Sequence, residues 1–149
     1  MKPTISVSDD ITLVILQNIP ADIGFITEVF EKIAEMDVDV DMISLNPAQS
    51  SRTSLSFTIS DDDLVKTLSY TSTLNDEKIK PIVSSGNCKI SINDSGMEHC
   101  PGVAAKVFRR AASAQTEILL ITTSESQISL LVTKSDFDAA FSAIQDALD

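Results

Sequence analysis

Residues 24–44 read GFITEVFEKIAEMDVDVDMIS. In the first part, Ile26, Val29, Phe30 and Ile33 recur at helical spacing. In the second, Val38, Val40 and Met42 alternate with Asp37, Asp39 and Asp41, the period of a strand. Upstream, residues 11–17 (ITLVILQ) form a β-branched apolar run of strand length, and Pro20 and Gly24 mark the loop that follows it. Downstream, residues 46–51 (NPAQSS) read as a turn, and Thr53, Leu55, Phe57 and Ile59 alternate with small polar residues as a half-buried strand. Ser60 followed by Asp61, Asp62 and Asp63 is a helix start, with acids where the helix dipole favours them. That helix turns Leu64, Leu68 and Leu74 inward, and Ile79, Ile82 and Val83 form one more short strand. The predicted order is β-α-β-β-α-β.

The pattern then repeats. Residues 89–93 read as a strand, and Pro101-Gly102 precedes a helix with Val103, Val107, Phe108 and Ala111 on one face. Residues 118–122 and 127–132 are strands, and Ser135 caps a helix with Phe137, Ala140, Phe141, Ile144 and Leu148 inward. Gly24, Phe30, Ala34 and Ile43 fall on Gly102, Phe108, Ala112 and Ile121 at an offset of 78. After the turn, Leu55, Phe57 and Asp63 fall on Ile128, Leu130 and Asp136 at an offset of 73. A shared register through a whole unit marks two copies of one fold. The second copy lacks a last strand, and residues 2–9 (KPTISVSD) are the segment available to supply it. The expected domains are therefore 11–86 and 87–149, the latter completed by residues 2–9.

The chain has 149 residues, 43% of them apolar, with 22 acidic and 11 basic side chains. Residues 1–86 carry 14 acids and 6 bases, and residues 87–149 carry 8 and 5. A net charge of −11 argues against nucleic acid or an anionic membrane as partner. No apolar run approaches the roughly 18 residues of a membrane span, and no signal peptide opens the chain, so a cytoplasmic location is expected. Cys88 and Cys100 are too few for a disulfide scaffold and match no zinc spacing. His99 stands beside Cys100, but neighbouring residues seldom point at one another, so a loop is the better reading than a thiol–imidazole site. The aspartates at 61–63 read as capping acids rather than a metal cluster, and Arg109-Arg110 as a solvated helix face. No phosphate loop or nucleophile–base pair is found, so neither enzyme activity nor any cofactor is expected.

A β-α-β-β-α-β unit with glycine before its first helix resembles the ACT domain, and the tandem pair resembles the regulatory region of aspartokinases without the kinase domain. The segments that carry the resemblance are residues 24–44, 52–60 (RTSLSFTIS), 101–108 (PGVAAKVF) and 122–132 (TTSESQISLLV). It implies an α+β fold of two ferredoxin-like βαββαβ domains, antiparallel sheets with helices on one face, associating as a homodimer. It also implies a stand-alone module that binds a free amino acid at a domain interface and acts on a partner enzyme of amino-acid metabolism. The alternatives are a dimeric interaction protein without ligand, and a separated regulatory portion that acts on a kinase in trans.

For such a ligand, the carboxylate needs donors, and the backbone from Asp22 through Gly24, Phe25 and Ile26 opens a helix N-terminus that offers them. The ammonium needs an acid, and the resemblance assigns it to Asp41, 17 residues after Gly24. Val40 and Ile19 would line the site through backbone groups. The resemblance also marks Leu45-Asn46, where many relatives carry Gln-Asn to read the effector side chain; Leu45 favours a more apolar one. In the second copy Leu119 replaces Asp41, so that copy is expected to serve packing even though it keeps Ser124-Glu125.

Overall fold

Two strands much longer than the sequence pattern suggests organise the chain. The computed structural model describes residues 3–74, 78–97 and 101–148. β1 spans Thr4–Pro20 and β4 spans Lys80–Asn93. Between them lie α1 (Ile23–Glu35), β2 (Ile43–Leu45), β3 (Arg52–Ser60) and α2 (Leu64–Thr71); after them come α3 (Val103–Ser113), β5 (Ile118–Thr123), β6 (Gln127–Thr133) and α4 (Phe137–Leu148). The fold is α+β, with antiparallel strand pairs throughout the registers of β3 and β6. The chain divides into two compact units. One is Asp10–Ser85; the other takes the residues as far as Asp9 together with those from Gly86 on. β1 and β4 thus give a stretch to each unit.

In the Asp10–Ser85 unit the strands run β2-β3-β1-β4. β3 pairs with β1 from Ile11↔Ser60 to Pro20↔Arg52, and with β2 from Ile43↔Phe57 to Leu45↔Leu55. Alternation along β3 buries Leu55, Phe57 and Ile59, which pack with Ile26, Val29 and Ile33 of α1. Phe30 meets Phe57 edge-on at 5.7 Å between ring centroids. In the second unit the strands run β1-β4-β6-β5, and Ile90, Ile92, Leu130 and Val132 pack with Val107 of α3 and Ile144 of α4. Ile5 of β1 packs against this second core.

Chain details repeat at the spacings found in the sequence. Ser60 accepts from the Asp62 N–H and Thr133 from the Asp136 N–H, each opening a three-residue 3-10 turn before a helix. Asp37 and Gln115, 78 apart, both take positive φ just past the ends of α1 and α3 (61° and 56°). The cap of the last helix region is therefore Thr133, whose hydroxyl reaches the backbone, and not the expected Ser135. The acids at 61–63 have local roles: Thr12 Oγ1 donates to Asp61 Oδ1 at 2.6 Å, and Asp63 pairs with Lys66 at 3.3 Å.

Two expectations fail for identifiable reasons. Val38 and Met42 are buried as the alternation requires, yet residues 38–42 form no strand. The Asp41 N–H donates to the Thr58 carbonyl while the Thr58 N–H donates to the Met42 carbonyl, so two residues oppose one as in a β-bulge. The Met42 N–H is taken by Thr58 Oγ1 at 2.9 Å. The ladder begins only at Ile43. In α2 the buried positions are Thr67 and Thr71, with Leu64 and Leu68 only half-buried. Leu74 does pack against the core of the Asp10–Ser85 unit, whereas Leu64 and Leu68 do not, because α2 is just eight residues long and the threonines occupy the centre of its inward stripe.

Thr67 Oγ1 is buried and meets no hydrogen-bond partner among the described residues. Thr67→Val keeps the shape and removes the unsatisfied hydroxyl, so it should stabilise the protein by about 1 kcal/mol, read as a rise of roughly 2–4 °C in the unfolding temperature. Gly86 lies in β4 with φ +70, and an added Cβ there would meet nothing within 4 Å. Gly86→Ala should therefore cost only the left-handed backbone, about 1–2 kcal/mol in denaturant unfolding; no loss would show that the backbone relaxes.

Candidate functional site

The end of β1, the start of α1 and the end of β2 come together in the Asp10–Ser85 unit. The register of β1 on β3 shifts between Leu16 and Ile19, with Asn18 at φ 64, and this turns Ile19 fully inward opposite Thr53. Pro20 closes the ladder against Arg52, and the Ala21 N–H donates to the Ser51 carbonyl at 2.8 Å. Asp22 is in extended conformation as the N-cap of α1, and its Oδ1 accepts from the Gly24 N–H at 3.1 Å. The Ile26 N–H donates to the Asp22 carbonyl. An α-helix leaves its first N–H groups without intrahelical acceptors, and here that condition applies to Ile23 and Phe25 beside the capped Gly24.

On the facing side, Asn46 leaves β2: its N–H donates to the Ser54 carbonyl at 3.0 Å and its carbonyl accepts from Thr53 Oγ1 at 2.5 Å. Gln49 and Arg52 exchange backbone hydrogen bonds of 2.9 and 3.2 Å across a tight turn in which Ser50 takes φ 60. Arg52 Nη1 donates to the Asn18 carbonyl at 3.1 Å, which ties this turn to the bulge in β1.

Two cavities open between these segments. The smaller, about 180 Å³, is bounded by Ala21, Ile23 and Ile26 from the helix side and by Leu45, Asn46, Ala48 and Thr53 from the strand side. The larger, about 640 Å³, shares Asn46, Ala48 and Thr53 and adds Asn18, Gln49, Arg52 and Ser54.

The expected site residues divide accordingly. Ile26 and Asn46 line the smaller cavity. Asp22, Gly24 and Phe25 form the capped turn around Ile23, and Ile19 lies in the core beneath, its backbone paired with Thr53. Val40 and Asp41 are not brought there. Asp41 is bonded to Thr58, five residues along β3 from Thr53, or roughly 16 Å at the usual strand rise. The helix start also differs electrically from the expectation: the Asp22 carboxylate occupies the Gly24 donor and sets a negative charge where an anion would otherwise dock. Sequence reasoning missed Ile23, Ala48, Thr53 and Arg52. Arg52 did carry a signal, as the one basic residue between Lys32 and Lys66. His99 and Cys100 lie outside the described residues. No helix among the described residues is long and apolar enough to cross a membrane.

Residues 90–148 match the model of the ACT domain. Among curated proteins, the aspartokinase of Bacillus sp. strain MGA3 is 31% identical over 149 residues, which is 97% of this chain and 36% of the relative. That of Mycolicibacterium smegmatis is 31% identical over 92% of this chain and 33% of its own length. The chain thus spans about a third of the curated relatives it matches. Among solved structures, the regulatory subunit of aspartate kinase from Thermus thermophilus, in ligand-free form, superposes with a TM-score of 0.88 at 29% identity, covering 97% of each chain. The regulatory subunit of aspartate kinase from Thermus flavus gives 0.89 at 29% identity over the whole of both chains. Residues 90–148 are thus similar to the ACT domain, and nearly the whole chain is similar to the regulatory subunits of aspartate kinase from the two Thermus species.

Proposed function

We propose that this chain is an amino-acid-binding regulatory module built of two tandem ferredoxin-like ACT domains, and that the Asp10–Ser85 unit holds the effector at the start of α1. The observation that carries the reading is the end-to-end likeness to the Thermus regulatory subunits. The tandem arrangement draws support from the matched second unit and from the repetition of its caps and helix ends in the first. The site draws support from the cavity pair at Ile23, Leu45 and Asn46. In this reading Asp22, Gly24, Phe25 and Ile26 shape the helix side, Ile19 supports Thr53 from below, and Asn46 offers an amide that both donates and accepts. Asp41 and Val40 then act outside the pocket, as part of the bulged approach to β2. The module itself performs no chemistry; it acts on a partner enzyme.

The same Thermus likeness favours a second, compatible reading: the module acts in trans on an aspartate kinase, in the manner of a separate regulatory subunit. A homodimer is part of the proposal, because β2 lies at the edge of its strand order and carries Ile43 and Leu45 half exposed (50% and 48%).

Thermal unfolding in the presence of each of the twenty amino acids at millimolar concentration tests the binding reading. An effector at about a hundred times its Kd adds roughly 2.7 kcal/mol, several degrees for a chain of this size. A flat response to all twenty would remove amino-acid binding as the function. Sedimentation should return a single species of twice the 16.1 kDa chain mass. A monomer at micromolar concentration would overturn the dimer, and Leu45→Lys should shift the equilibrium toward monomer.

A further inference from the structure

We draw no further inference here: the strongest candidate, the apolar cavity of about 180 Å³ between the start of α1 and the end of β2, belongs to the site already described, and nothing in the structure shows what fills it.

Discussion

The pairing of β3 with both its neighbours is the constraint on which the Asp10–Ser85 unit depends. β3 has β1 on one side and β2 on the other, and its side chains alternate between the α1 core and the opposite face. A slip of one residue would exchange every inward and outward position. It would take Leu55, Phe57 and Ile59 out of contact with Ile26, Val29 and Ile33. The same register sets the site. Because Pro20 stands opposite Arg52 and Leu45 opposite Leu55, the chain must leave β1 and β2 at the same end, where α1 begins. The cavities are a consequence of three segments turning away from one another at the end of one register.

Much of this was legible in the sequence because it rests on period and repetition. Helical spacing in residues 24–36 and alternation along residues 52–60 describe burial, and burial is what the structure honours at Ile26, Val29, Ile33, Leu55 and Phe57. The offsets of 78 and 73 reappear in backbone conformation at Asp37 and Gln115 and in caps at Ser60 and Thr133. Periodicity is silent about hydrogen bonds. Residues 38–42 keep the burial of a strand without its ladder, because the Thr58 side chain takes a donor that the backbone would otherwise have taken. Hydropathy likewise gave no warning of Thr67 and Thr71 in the inward stripe of α2: a methyl and a hydroxyl on one carbon let threonine be buried without registering as apolar.

The site was half legible, and the missing half is electrostatic. Reading Asp22 through Ile26 as a helix start was sound, but the expectation treated its N–H groups as available. The first residue of the segment is itself the cap, and an aspartate cap both fills a donor and brings a full negative charge. Asp41 was placed by resemblance beside Gly24, at a distance in sequence that takes no account of the bulge or of the register. Asp41 stands opposite Thr58, and no acidic side chain is among the described lining residues of either cavity. The basic residue at the larger cavity is Arg52, whose guanidinium donates to the Asn18 carbonyl.

The starts of α1 and α3 differ in the way they are capped. In one, Asp22 caps α1 from extended backbone; in the other, Gly102 precedes α3 in the left-handed region at φ 96 with no side-chain cap. By contrast, Ser60 and Thr133, 73 residues apart, cap in the same way. A helix start is cheap to alter, because a cap contributes only about 1 kcal/mol, whereas core positions answer to packing on every side. Interior positions are therefore held by packing, while loop positions are freer to vary. In the Asp10–Ser85 unit such a loop sets the Asp22 carboxylate at the helix start, next to the cavity bounded by Ala21, Ile23 and Ile26. An anion already in place at the helix end disfavours a second one there.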